Sequence, residues 1–210
     1  MLIDLTPNVQ RQVERGIAIL KNGGVIAYPT DTIYGLGAGA YIQSAVKRIY
    51  KIKQRAPEKA LPLLLADVSE VSDVARQVPE VAWLLARHFL PGGLTIVLLK
   101  SSSVPDFATA GTDTVAVRVP AHPVPVALVR GIGMPLVGTS ANLSGKPNLL
   151  TADDVCSQLG NKIDLIIDGG PSSGGKESTI VDLTGEKPVL LREGAIPREK
   201  IVKVVGKTLS

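Results

Sequence analysis

Apolar runs just long enough for a strand alternate with segments of helical period along the whole chain, and this alternation restricts the fold more than any other feature. Val9, Val13, Ile17 and Leu20 recur at helical spacing, and Gly23-Gly24 closes that helix ahead of the apolar run Val25 to Ala27. Gln43 to Lys53 predicts a second helix, with Val46, Ile49 and Tyr50 on its apolar face. Leu61 to Ala66 and Leu94 to Leu99 read as buried strands. Between them lies a helical region in which Ser69 is a candidate cap and Pro79 opens a segment through Trp83 and Leu84 to His88. From Thr114 to Val119 the chain alternates, with Val115, Val117 and Val119 on one face and Thr114, Ala116 and Arg118 on the other. A short helix around Pro125 to Arg130 leads to a strand at Pro135 to Gly138, and Thr151 caps a helix containing Val155 and Leu159. Ile163 to Ile167, Thr179 to Leu183 and Pro188 to Leu191 read as further strands, and Pro197 starts a last helix. The two kinds of element intermix with no repeat and no low-complexity linker. That pattern predicts one α/β domain over 1–210 with a mixed sheet.

The chain is 45% hydrophobic but only 3% aromatic, so its core must be built from Val, Ile, Leu and Ala. Scarce aromatics also argue against the stacking platforms on which single-stranded nucleic acids commonly lie. With 23 basic and 19 acidic residues the net charge is +4, compatible with an anionic ligand or RNA and specifying neither. No apolar run approaches the roughly 18–20 residues of a membrane span. Met1-Leu2-Ile3-Asp4 lacks a basic region followed by an apolar core, so no secretory signal is expected. Cys156 is the only cysteine, which excludes an internal disulfide and a multi-cysteine zinc site. A cytoplasmic protein with no membrane partner is the expectation.

Three loops rich in hydroxyls and glycine follow or precede strands. The first is Tyr28-Pro29-Thr30-Asp31-Thr32-Ile33-Tyr34-Gly35-Leu36-Gly37, with four hydroxyl side chains, one carboxylate and two glycines. The second is Gly138-Thr139-Ser140-Ala141-Asn142-Leu143-Ser144-Gly145. The third runs from Gly169-Gly170-Pro171 through Gly174-Gly175-Lys176-Glu177-Ser178-Thr179 into a strand. Loops at strand ends are where α/β proteins bind small molecules, and glycine lets backbone N–H groups approach phosphate oxygens. None of the three matches a Walker or dinucleotide-binding pattern.

Cationic side chains sit beside these loops. Lys51 and Arg55 share a helical face, with Lys53 turned away if the helix continues unbroken. Arg118 lies inside an apolar strand, where an unpaired guanidinium would be costly to bury, so it meets an anion or a carboxylate such as Asp113 or Glu193. Arg192 ends another strand. Asp31 reads as a cap of its own loop and Cys156 as a small packing residue.

Seven segments together resemble the YrdC-like family of threonylcarbamoyl-AMP synthases. They are YPTDTIYGLG at 28–37, KIKQR at 51–55, PGGLT at 91–95, VRVP at 117–120, TSANLSG at 139–145, STIVD at 178–182 and LREGAI at 191–196. The resemblance implies a twisted mixed sheet with flanking helices and a basic concave substrate groove, in the short form without an additional C-terminal domain. It implies condensation of L-threonine, bicarbonate and ATP to threonylcarbamoyl-AMP and pyrophosphate, for N6-threonylcarbamoyladenosine in tRNA. Thr30, Thr32, Arg118, Ser140 and Ser178 would then hold threonine. Lys51, Lys53, Arg55, Asn142 and Arg192 would hold ATP, with Lys53 and Arg55 acting electrostatically and no residue assigned as acid or base. Magnesium is expected with the nucleotide, on no assigned ligands. Downstream threonylcarbamoyl-transfer proteins would consume the product, and direct binding of tRNA or double-stranded RNA stays open. Two departures touch the family pattern: Pro91-Gly92-Gly93 in place of Pro-Gly-Pro, and Lys59-Ala60-Leu61 in place of Lys-Pro-Leu. The alternative is a non-catalytic RNA-binding module using the lysines at 51–55 and 198–207.

Overall fold

The computed structural model describes residues 5–206 and 209–210. The expectation for Met1 to Asp4, and Lys207 of the lysine-rich tail, fall outside the described residues. In chain order the elements are α1 (Pro7–Lys21), β1 (Ile26–Tyr28), β2 (Gly35–Gly39), α2 (Gln43–Lys53), β3 (Leu63–Leu64), α3 (Val71–Val74), α4 (Glu80–Phe89) and β4 (Leu94–Leu99). There follow β5 (Thr114–Arg118), α5 (Pro123–Ile132), β6 (Leu136–Ser140), α6 (Ala152–Leu159), β7 (Leu165–Ile166), β8 (Thr179–Asp182), β9 (Val189–Arg192) and α7 (Arg198–Val205). Among the described residues all nine strands join one sheet, in the order β7-β1-β2-β6-β3-β5-β4-β8-β9. The pairs β1–β7, β3–β5 and β4–β8 are parallel and the other five antiparallel. This is the α/β domain with a mixed sheet and flanking helices.

The helix starts follow local chemistry. Thr6 caps α1 through Val9 N, Thr151 caps α6 through Asp154 N, and Pro79 and Pro197 precede α4 and α7. Ser69 is not a cap; Asp67 takes that role, its carboxylate accepting from Ser69 N at 2.9 Å. The strand expected over Leu61 to Ala66 pairs only at Leu63–Leu64. Pro62 has no N–H to give the ladder, and Ala66 N turns to the Glu70 carboxylate at 3.0 Å.

The largest departure is β2, expected as the end of a loop and found as a fully buried strand at Gly35–Gly39. Its glycines make that position possible. A Cβ on Gly35 would lie 2.8 Å from the Tyr28 ring, and one on Gly37 would lie 2.6 Å from the Tyr28 hydroxyl. Tyr28 lies flat across β2, and any side chain there would displace it.

The two faces of the sheet are covered differently. On one, α2, α4, α6 and α7 pack through Val46, Ile49, Leu85, Val155, Leu159 and Ile201 against Leu36, Leu63, Val117 and Ile96. On the other, α1 and α5 pack Val13, Leu20, Val124 and Leu128 against Ile26, Tyr28, Leu64 and Leu136. These two helices reach only the β1–β2–β6–β3 side. Beyond it Val97, Thr114, Ala116, Ile180 and Asp182 stay half-buried and line a cavity. Helix coverage on one half of a face and none on the other makes the concavity. Cys156, expected as a packing residue, is exposed. Among the described residues no helix is long and apolar enough to cross a membrane.

Candidate functional site

The cavity holds about 380 Å³ and collects residues from all three loops and from β3, β4, β5, β8 and β9. Thr30, Thr32, Arg55, Arg118, Ser140, Ser178 and Arg192 line it; Lys51, Lys53 and Asn142 do not.

The strand alternation places Arg118. Val115 and Val117 point into the core, so Thr114, Ala116 and Arg118 face the cavity. Arg118 is 7% exposed. It donates from Nε to Gly92 O at 2.9 Å, from Nη1 to Thr32 Oγ1 at 3.0 Å and from Nη2 to Asp31 Oδ1 at 2.8 Å. The carboxylate partner is therefore Asp31, not Asp113 or Glu193. Asp31 in turn does not cap its own loop: its Oδ1 also accepts from Ala121 N at 3.1 Å, which ties the first loop to the end of β5. Burial lowers the Arg118 pKa and Asp31 opposes the shift. A guanidinium has five N–H donors, so two remain for a ligand.

The first loop is held by its own hydroxyls. Thr30 Oγ1 donates to Ile33 O at 2.7 Å, accepts from Thr32 N at 3.1 Å, and lies 2.9 Å from Thr32 Oγ1. The third loop packs onto it, Ser172 Oγ accepting from Thr30 N at 3.3 Å and Gly175 N donating to Thr32 O at 2.8 Å. A Cβ on Gly174 would come within 2.7 Å of Asp31 O, so this contact needs glycine.

Lys53 is turned away from Lys51 as the helical spacing predicts, and Arg55 departs from that expectation. Helix α2 stops at Lys53, and Gln54 takes a left-handed conformation at φ 51°. Lys53, four residues after Ile49 and seven after Val46, lies on the buried face of the helix, while Lys51 stays exposed and the break brings Arg55 to the cavity. Lys53 is 1% exposed. Its Nζ donates to Ser140 O at 2.5 Å, Asn142 O at 2.6 Å and Asn142 Oδ1 at 3.2 Å. It therefore stands behind the second loop and clamps it. Burial pulls its pKa down from 10.5 to about 8, with Arg55 adding to the effect and Glu177 opposing it. Arg55 is braced by Lys59 O at 3.1 Å and Ala60 O at 3.2 Å, the segment where the sequence departs from the family pattern.

Across the cavity Arg192 donates from Nε and Nη2 to Ser178 O at 3.0 and 2.9 Å, and from Nη2 to Ser178 Oγ at 3.2 Å. Its Nη1 pairs with the Glu177 carboxylate. Ser178 Oγ also lies 2.8 Å from Thr95 Oγ1. Thr95, Glu177, Asp182, Leu64 and Tyr28 line the cavity without having been singled out from sequence. Thr95 had a signal, a lone hydroxyl in an otherwise apolar strand; Leu64 had none, because it reads as core. The lining carries Arg55, Arg118 and Arg192 together with Glu177 and Asp182, so it is of mixed sign rather than simply basic.

A family model described as telomere recombination, that of the Sua5/YciO/YrdC proteins, matches residues 18–194. The chain belongs to the Sua5/YciO/YrdC family. It is 43% identical to the threonylcarbamoyl-AMP synthase of Pyrococcus abyssi over 95% of its own length and 60% of that protein. To the threonylcarbamoyl-AMP synthase of Bacillus subtilis it is 43% identical, over 93% of its length and 57% of the relative. The crystal structure of P. abyssi Sua5 complexed with L-threonine superposes with a TM-score of 0.91 at 43% identity, covering 94% of this chain and 58% of that one. The chain thus spans less than two thirds of the length of these members of the Sua5/YciO/YrdC family.

Proposed function

We propose that the protein makes threonylcarbamoyl-AMP from L-threonine, bicarbonate and ATP. The observation that carries this reading is the convergence of hydroxyls from three loops with Arg55, Arg118 and Arg192 on one cavity. Two relatives that bear the synthase name, and a Sua5 structure that holds L-threonine, support it.

In this reading the threonine amine adds to bicarbonate with loss of water, and an oxygen of the resulting carbamate attacks the α-phosphorus. The bond to the β-phosphate oxygen breaks and pyrophosphate leaves. Arg118, Thr32, Ser140 and Ser178 hold the amino acid, with the two spare guanidinium N–H groups of Arg118 on its carboxylate. Thr30 acts by shaping its loop. Arg55 and Arg192 face the phosphates, while Lys53 and Asn142 act through the second loop they fix. Lys51 is too far round the helix surface to belong to this set. Alignment and positive charge supply the catalysis, since charge builds on phosphate oxygens and no side chain need move a proton. Among the described residues no group of three or more His, Cys, Asp or Glu could hold a metal. Magnesium would therefore arrive on the phosphates, which suits its habit of taking one or two carboxylates plus substrate oxygens, here Glu177 or Asp182. Proteins that transfer the threonylcarbamoyl group to tRNA would take the product, in the cytoplasm.

The test is pyrophosphate release from ATP with bicarbonate and magnesium, comparing L-threonine, L-serine and no amino acid. Threonine-dependent release is the expected result. Its absence from the folded protein would overturn the reading and favour a salt-dependent RNA titration instead.

A further inference from the structure

Tyr34, in the first loop, bonds to both of the other loops without lining the cavity itself. Its N donates to Leu149 O at 3.0 Å and its O accepts from Ala141 N at 2.8 Å, which fixes the second loop and the segment after it. Its ring is fully buried in the core, and its hydroxyl donates to Gly170 O at 2.9 Å, at the start of the third loop.

The third loop has little else to hold it there. Between Gly169 and Glu177 four of nine residues are glycine, which lose the most conformational freedom on being fixed. Pro171 is exposed, and Ser172 is the one buried residue of that stretch. The position of the loop therefore rests on single hydrogen bonds, each worth little on balance. Besides Tyr34 they are Ser172 N to Leu150 O at 2.9 Å, Thr30 N to Ser172 Oγ at 3.3 Å and Gly175 N to Thr32 O at 2.8 Å. Its far end is fastened separately, by Ala195 N on Glu177 O at 2.8 Å and by Arg192 on Ser178. In between, Gly174 lies against the backbone of Asp31 and Thr32, the two residues whose side chains bond Arg118.

The fold does not require the phenol. Phenylalanine would fill the same core space, and the Gly170 carbonyl, on a half-buried residue, could turn to water. What the hydroxyl adds is the location of the loop. We propose that Tyr34 is a positioning residue, whose bond to Gly170 O keeps the third loop closed on Asp31 and Thr32 and so keeps Arg118 aimed at the amino acid. This role rests on the threonine-dependent reading above.

The experiment compares the full wild-type protein with Tyr34→Phe by amide hydrogen exchange and by steady-state pyrophosphate release. Exchange across residues 170–175 should quicken about tenfold, the worth of one hydrogen bond, while α1, α2 and α5 exchange as in wild type. Saturating L-threonine should restore protection, since it binds the closed loop better. KM for L-threonine should rise roughly threefold, because affinity scales with the closed fraction. KM for ATP and kcat should keep their wild-type values, the far end of the loop being held without Tyr34. Exchange that is unchanged at 170–175, or faster throughout the molecule, overturns the role, as does an unchanged KM for threonine beside a loosened loop. A wild type that releases no pyrophosphate removes the synthase reading, and this role with it.

Discussion

Arg118 combines two duties that a substitution can separate. Its bonds to Asp31, Thr32 and Gly92 pin the first loop to β5, and its remaining donors face the cavity. Arg118→Ala would leave the Asp31 carboxylate, whose side chain is 17% exposed, without its cation. Breaking such a pair costs about 3 kcal/mol, so denaturant unfolding should show a clear loss of stability. Arg118→Lys keeps a charge but cannot reproduce the fork, and it serves as the folded comparison. Both variants should weaken L-threonine binding by about 100-fold while changing ATP binding far less. Equal losses for the two ligands would take Arg118 out of the amino-acid subsite. The sequence marks Arg118 as needing a partner, because a guanidinium inside an apolar strand is costly. It does not name Asp31, which lies 87 residues away in the chain and meets Arg118 only through the fold.

Elements whose side chains alternate on a regular period are legible in the sequence, and those set by packing across strands are not. The Thr114 to Val119 alternation predicts which residues of β5 face the core and which face the cavity, and the structure agrees. Strand β2 escapes the same reasoning because its glycines make room for the Tyr28 ring, a contact that exists only once β1 and β2 pair. The start of α5 makes a testable case. His122 Nδ1 accepts from Val124 N at 3.2 Å and so caps the helix, a job for which Ser, Thr, Asp and Asn are the usual residues. Burial holds its pKa below the ordinary 6.5, with Asp31 opposing. The unfolded chain then binds the proton more readily, so this contribution is present above about pH 6.5 and fades as pH falls. His122→Ala should cost about 1 kcal/mol at about pH 8, and the gap to wild type should narrow toward about pH 5. His122→Asn should restore the cap and remove the pH dependence. A gap that stays constant with pH would mean that capping by the neutral imidazole is not what His122 supplies.

At the scale of the whole molecule, the site exists because α1 and α5 cover only half of one sheet face, leaving the β5–β4–β8–β9 half to ligands. Lys53 fixes the loop that borders it on the covered side, holding Ser140 and Asn142 at the end of β6 from the core. Its pKa of about 8 in the folded protein, against an ordinary 10.5, means that the unfolded chain carries more protons between those values. Stability should therefore rise with pH over that window, the cost of a buried ammonium being complete below it. Urea unfolding of wild type and Lys53→Met at about pH 7 and about pH 10 should show wild type gaining on the variant at the higher pH. A difference that shrinks instead would mean that the clamp needs the charged form. By itself the sequence determined the α/β class, most helix boundaries and the family, because periodicity, capping residues and contiguous motifs are local properties of a chain. Tertiary structure alone decided that Arg55 turns to the cavity after the Gln54 break, that Asp31 and Glu177 answer the two arginines, and that the Tyr28 hydroxyl is left unpaired. Each of those depends on which strands become neighbours, and burial and charge pairing across a sheet are set by that order rather than by any stretch of residues.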